Sequence, residues 1–420
     1  MRGISASWVL RGDGESPPIR DGAVVVDAVG VIVAVGAADA LRATYSTAAW
    51  ESPRHAVLMP GLVNAHTHLE LSALRGQVPG GQGFAPWVAR LVALRAERGT
   101  DADAEAIGEG VSELLRAGTA AVGDVSNSLG SVPLLGGLPL VARVFAEVFG
   151  LTRRGAESTL ERTRALRRSL GDLPENVSVT LAPHTPYSLH PDTFEGICRE
   201  ARDAGALTSV HLAEHAAERA FLLDGTGPFL DFLASRGAPS ADWAPPALDP
   251  VRYAQTRSAL GPHALLVHLT DARPDELALV AESGAPVVLC PRSNLHIEVR
   301  WPPLEAVLAA GIRPALGTDS LASSPSLDVL AEARSLRARF PHVKPRVLVA
   351  MATGWGADAL RVESLVGRLA VGLTPGVLSF AHEEGAIPED PEAHVLSERA
   401  SLRELLVRPT GTLPVAERPL

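Results

Sequence analysis

Lysine is almost missing from this chain of 420 residues: Lys344 stands alone, and arginine carries the remaining positive side-chain charge. With a formal net charge of -10 and no long basic block, nucleic acid is not an expected partner. Cysteine is as scarce, with Cys198 and Cys290 each inside an apolar or helical segment. Two such residues make no disulfide scaffold, and a reduced, cytoplasmic compartment is the expectation. No apolar run approaches the roughly 20 residues of a membrane-spanning helix. Met1 to Leu10 lacks the apolar core of a signal peptide, so no membrane association is expected. Hydrophobic residues at 46% and charged residues at 20% describe a folded chain with a large core, not a disordered one. A small-molecule partner fits this composition, and so does a homodimer.

Residues 1–55 contain short apolar runs punctuated by Gly and Asp, the pattern of small antiparallel strands. From residue 56 the pattern becomes buried strand followed by amphipathic helix. Strands are expected over 57–65, 119–125, 140–148, 177–182, 207–212, 264–269, 285–289 and 312–317. Helices are expected over 84–98, 104–117, 158–170, 191–204, 274–283 and 304–310. Eight alternations imply parallel strands and a TIM-type (β/α)₈ barrel, whose site lies on the loops after the strands. A doubly wound sheet is the rival, but no glycine-rich phosphate turn follows any strand. After residue 366 strand-like pieces return, over 367–371 and 377–380. The expected architecture is therefore a barrel over 56–365, with 1–55 and 366–420 pairing into one small β domain.

The apolar run from Ala56 to Val63 gives way to Asn64-Ala65-His66-Thr67-His68. Alternate side chains of a strand point the same way, so His66 and His68 project together from its end as half of a metal site. Other polar residues fall on other strand ends: His184, His211 with Glu214, His268, and Asp319. Taken singly each has an ordinary reading. His184 suits a loop, His268 a hydrogen-bonded core position, Asp319-Ser320 a helix N-cap. Together they make a metal site.

Five stretches resemble the metal-dependent amidohydrolase superfamily, in its branch of adenosine-type aminohydrolases. They are Pro60-Gly61-Leu62-Val63-Asn64-Ala65-His66-Thr67-His68, Ala182-Pro183-His184-Thr185-Pro186-Tyr187-Ser188, His211-Leu212-Ala213-Glu214, Cys290-Pro291-Arg292-Ser293-Asn294 and Leu316-Gly317-Thr318-Asp319-Ser320-Leu321-Ala322-Ser323. The resemblance covers roughly residues 20–380 and implies the same barrel with a composite β-sandwich made from both termini. It implies that His66, His68, His211 and Asp319 hold one divalent metal per chain, Zn²⁺ or else Fe²⁺, a donor set that suits both ions. Branches with two metals use a lysine on the fourth barrel strand. That strand has none here, so one metal is expected unless Glu147 bridges a second.

By the same resemblance Glu214 shuttles protons, His268 contacts the attacking water, and Asp319 also accepts a proton. Such a site removes the exocyclic amine of an aromatic ring amidine, releasing ammonia. His-Leu-Glu-Leu-Ser-Ala-Leu-Arg-Gly from His68 and Gly-Phe-Ala-Pro-Trp-Val from Gly83 resemble the aminodeoxyfutalosine deaminase group. An adenine nucleoside bearing a carboxyphenyl group is thus the expected substrate. Trp87 is the expected stacking surface and Arg75 or Arg292 the expected carboxylate partner. His184 and Asn294 are expected to contact substrate, with His296 and Glu70 as weaker candidates. A chlorohydrolase is the rival activity, and a silent binding scaffold the rival class.

Overall fold

The computed structural model describes residues 1–53, 55–98, 103–235, 244–381, 389–397, 402–409 and 413. Five strands precede the α/β portion: β1 (Arg2–Val9), β2 (Ile19–Val26), β3 (Ile32–Ala37), β4 (Ala49–Glu51) and β5 (Ala56–Pro60). Eight follow: β6 (Leu62–Thr67), β7 (Thr119–Ser126), β8 (Val141–Val148), β9 (Val177–Pro183), β10 (Thr208–Leu212), β11 (Ala264–His268), β12 (Val287–Leu289) and β13 (Ala315–Leu316). The chain returns with β14 (Val377–Ala381) and β15 (Leu402–Val407).

The terminal strands share one seven-stranded sheet of order β15-β14-β5-β1-β2-β3, with β4 beside β1. Strands from both ends of the chain thus lie in one sheet among the described residues. Two details differ. The apolar run from Ala56 onward is two strands, because β5 pairs antiparallel with β14 while β6 pairs in parallel with β7. Gly61 is the hinge: a Cβ there would lie 2.5 Å from the Pro375 carbonyl oxygen and 2.7 Å from the Ala120 methyl, so no side chain fits. Residues 367–371 form irregular chain rather than strand. The stretches 382–388, 398–401, 410–412 and 414–420 of the C-terminal portion lie outside the described residues.

The eight central strands form two four-stranded parallel sheets, β6-β7-β8-β9 and β10-β11-β12-β13. Helices alternate with them, among them Phe84–Arg98, Ala104–Arg116, Arg153–Ser169, Pro191–Asp203 and Pro274–Ser283. β6, β7 and β8 are buried along their whole length, as parallel strands covered on both faces are. Both pairs of sheet edges carry hydrogen bonds. Thr208 Oγ1 donates to the Leu181 carbonyl (2.8 Å) and Thr180 Oγ1 to that of Leu207 (2.8 Å). Thr67 and Asp319 form a parallel bridge across β6 and β13.

Candidate metal centre and active site

Asp319 stands where β13 meets β6, and side chains on both sides fix it there. The Thr318 and Asp319 amides donate to the His66 carbonyl (3.0 and 3.1 Å), and Thr67 Oγ1 donates to the Asp319 carbonyl (2.8 Å). Asn64 clamps Thr318 twice, through its hydroxyl (2.8 Å) and its amide (3.2 Å). Gly317 permits the approach, since a Cβ there would sit 2.7 Å from His66 Cβ. The turn leaves Asp319 at φ 55° and, on β11, His268 at φ 79°, a left-handed backbone that non-glycine residues adopt at a cost.

The carboxylate of Asp319 is divided between two tasks. Oδ2 accepts from Ser293 Oγ (2.6 Å) and Ser323 Oγ (2.7 Å). Oδ1 faces His66 Nε2 (3.6 Å) and His68 Nε2 (3.5 Å), and His68 Nε2 lies 3.2 Å from His211 Nε2. Four ligands at about 2.05 Å around a tetrahedral ion sit about 3.3–3.4 Å apart, so these spacings suit one. His66 is fully buried and neither of its ring nitrogens has a hydrogen-bond partner, a costly state that an ion at the cluster relieves. His211 Nδ1 donates to the His184 carbonyl (3.3 Å), which leaves Nε2 free as a ligand atom. The predicted set of His66, His68, His211 and Asp319 is thus brought together, with His268 beside it.

The charge state also suits a cation. Burial holds His68 and His268 well below the usual imidazole range, and takes His211 down to about 3 with help from His66 and His184. Burial alone would raise Asp319, but the facing imidazoles of His66, His68 and His268 hold it well below the usual carboxylate range. Neutral imidazoles around an ionised carboxylate are the form that binds a divalent ion.

Glu214 is buried and its Oε1 lies 3.6 Å from His268 Nε2. Burial, then the charge of Asp319, push its carboxyl well above the usual range. Asn294 Nδ2 lies 3.4 Å from His268 Nδ1. With that amide donating, His268 presents Nε2–H to Glu214. His184 lies near the same cluster, its Nδ1 2.7 Å from Ser188 Oγ, and burial lowers it to about 4.

Other expected substrate contacts are placed differently. Trp87 is 6% exposed and packs with Phe84, Leu91 and Phe229 in an apolar cluster, so it is core rather than a free stacking face. Arg75 pairs with Glu113 and donates to the Pro325 carbonyl (2.8 Å). Arg292 donates to Ser326 Oγ (3.0 Å) and lies 3.7 Å from Glu332. Both arginines therefore brace the loop after β13 instead of awaiting a carboxylate. Glu70 is taken up by Ser126, the Asn127 amide and Ser128, and His296 Nε2 by the Val78 carbonyl (2.9 Å). Sequence reading assigned no role to Asn64, Ser293 or Ser323, although the motifs contain them. A separate cleft of about 390 Å³ lies between helices Arg153–Ser169 and Pro191–Asp203 against β8 and β9, and no residue of the cluster lines it.

Residues 57–380 match the amidohydrolase family. An aminodeoxyfutalosine deaminase of Deinococcus radiodurans is 34% identical over 362 residues, covering 82% of each chain. The chain belongs to the amidohydrolase family. This amidohydrolase is also 28% identical to a 5-methylthioadenosine/S-adenosylhomocysteine deaminase of Nitratidesulfovibrio vulgaris, over 90% of its length and 83% of the relative's. It superposes on Helicobacter pylori aminofutalosine deaminase, solved with methylthio-coformycin, at a TM-score of 0.84 and 26% identity, covering 94% and 95% of the two chains. The fold is accordingly of TIM-barrel type. The amidohydrolase is a deaminase, a hydrolase of carbon–nitrogen bonds, and its cluster is a divalent-metal site.

Proposed function

We propose that this amidohydrolase deaminates an adenine nucleoside of the aminodeoxyfutalosine class, using one zinc ion held by His66, His68, His211 and Asp319. The observation that carries the reading is Glu214, three residues after a ligand, buried, and 3.6 Å from His268 Nε2. A buried carboxyl held well above the usual carboxylate range favours its protonated form and can give that proton to a purine ring nitrogen, which an aromatic amine requires before water can add to its carbon. An ordinary amide needs no such donor. Three imidazoles and a carboxylate at near-tetrahedral spacing suit zinc. When bound, the ion supplies Lewis acidity that makes water nucleophilic at neutral pH.

The protein's own groups do the rest. Neutral His268, its tautomer set by Asn294, directs Nε2–H toward the attack position. Ionised Asp319, oriented through Oδ2 by two serines, can accept a proton from the attacking water and pass it to the departing amine. The substrate class follows the 34% identical relative. The reading includes the two parallel sheets closing into a (β/α)₈ barrel and the terminal strands forming a composite β-sandwich. The boundary between them then lies at Gly61, not at residue 56, because β5 belongs to the terminal sheet. Free, buried Cys198 and Cys290 support a cytoplasmic location. Among the described residues no helix is long and apolar enough to cross a membrane.

The test is ammonia release by the zinc-loaded enzyme from aminodeoxyfutalosine, 5′-methylthioadenosine, adenosine, guanine, cytosine and chlorotriazines. Preference for an adenine nucleoside is expected. Faster release of chloride from a triazine would replace this reading with that of a chlorohydrolase.

A further inference from the structure

Glu147 ends β8 beside the metal cluster, yet belongs neither to the ligand set nor to the proton path. It is 7% exposed, and its two oxygens are treated differently. Oε2 accepts from Asn127 Nδ2 (2.8 Å), whereas Oε1 is buried without a hydrogen-bond partner. A buried carboxylate oxygen left bare is costly and needs a reason. Its placement is not slack. Asn127 is itself fixed, its amide by Glu70 Oε2 (3.0 Å) and its Oδ1 by Arg95 Nη1 (3.0 Å). The network holds Glu147 Oε1 aimed at a gap.

Across that gap stands His184, with Nε2 3.9 Å from Glu147 Oε1, beyond hydrogen-bond reach. The other nearby nitrogen, His211 Nδ1, is also 3.9 Å away and already faces the His184 carbonyl at 3.3 Å. Ser188 Oγ has His184 Nδ1 at 2.7 Å and the Thr185 carbonyl at 3.5 Å as acceptors, and the shorter contact takes its hydrogen. With Ser188 Oγ donating along the shorter contact, His184 carries its proton on Nε2. A donor and a bare acceptor face each other across 3.9 Å. An oxygen about 2.8 Å from both closes the gap, accepting from the imidazole and donating to the carboxylate. Ethers and carbonyls cannot do this, since they have no proton to give. An alcohol can.

We infer that Glu147 Oε1 and His184 Nε2 form a hydroxyl subsite that seats a sugar hydroxyl of the nucleoside beside the metal cluster. This rests on the adenine-nucleoside reading above, and Glu147 acts in it as a specificity-determining residue that leaves the reacting carbon to Glu214 and Asp319.

The test compares adenosine, 2′-deoxyadenosine and 3′-deoxyadenosine on the zinc-loaded wild type, Glu147→Gln and His184→Gln. Dissociation constants for inosine and the two deoxyinosines, and metal per chain, are measured alongside. A hydrogen bond to a charged group predicts that the wild type loses about 10- to 100-fold in kcat/KM for one deoxy substrate, with a parallel loss in product binding. Both variants should reduce that discrimination to about threefold or less while the metal content of Glu147→Gln stays at wild-type level. A wild type indifferent to both deoxy sugars overturns the subsite. So does a variant that slows all three substrates equally with discrimination intact, the mark of a merely structural role. A second metal equivalent present in the wild type and lost in Glu147→Gln would assign the gap to a cation instead. If no adenine nucleoside is bound or deaminated, the nucleoside reading itself falls and takes the subsite with it. Ammonia release with unchanged sugar discrimination sinks the subsite alone.

Discussion

Replacing Glu214 with glutamine changes one thing at the centre of the site. The amide has nearly the shape of the carboxylic acid, and the backbone N–H of residue 214 keeps its bond to Glu218 Oε2 (3.0 Å), so the loop should hold. What disappears is a transferable proton 3.6 Å from His268 Nε2. Positioned acid–base groups contribute on the order of 10²- to 10⁴-fold, which is about 2.7–5.4 kcal/mol of barrier at about 1.36 kcal/mol per decade. Deamination by Glu214→Gln should fall by that factor in kcat, with KM moving much less, because an amide still hydrogen-bonds to a purine edge. Metal content by elemental analysis should match the wild type. A 6-chloropurine nucleoside should lose less activity than the amine, since chloride departs without a proton. Steady-state ammonia release, with chloride release in parallel, reads both. Near wild-type kcat on every amine, or loss of the metal, would refute the assigned role.

Removing the two hydroxyls that hold Asp319 Oδ2, by Ser293→Ala with Ser323→Ala, should weaken metal binding by about 10- to 100-fold in a chelator competition; unchanged affinity would show that the serines do not orient the ligand. Trp87→Ala should cost on the order of 3–5 kcal/mol in denaturant unfolding, as a core truncation does, and leave KM of the folded enzyme unchanged. A raised KM without loss of stability would restore Trp87 as a substrate contact. Burial pushes Glu218 up to about 8 from 4.5, so the folded chain keeps a proton that the unfolded chain releases. That stabilising contribution is complete below pH 4.5 and is lost as pH rises through 8. The fall in Tm of the metal-free protein between about pH 6 and 9 should therefore be smaller in Glu218→Gln, and an equal fall in both would refute it.

The clustering of the candidate metal ligands was legible because strand ends are positions where a histidine or aspartate breaks an otherwise apolar pattern. The split between β5 and β6 was not legible. Both halves are buried on both faces, so their hydrophobicity is continuous and only Gly61 marks the passage from one sheet to the next. Arg75, Arg292 and Trp87 misled for a related reason. Residue type shows what a side chain could bind, whereas Glu113, Glu332 and the Phe84–Phe229 cluster, which occupy them, come from distant segments. Ser293 and Ser323 were hidden in the opposite sense, as small polar residues whose task depends on a carboxylate placed by another strand. The irregular stretch 367–371 has the residues of a strand but finds no partner strand among those described.

The bridge between β6 and β13 has a consequence for how the protein is made. The bond from Thr67 to the Asp319 carbonyl spans 252 residues. At about 5–20 residues per second of synthesis, roughly 10–50 s separate the emergence of the first ligand histidines from that of the carboxylate. During that interval the nascent chain can offer imidazoles to whatever ion is at hand, but not the finished charge or geometry. The complete set of three imidazoles and a carboxylate thus exists only late in the life of each molecule, once the last central strand has docked against the first.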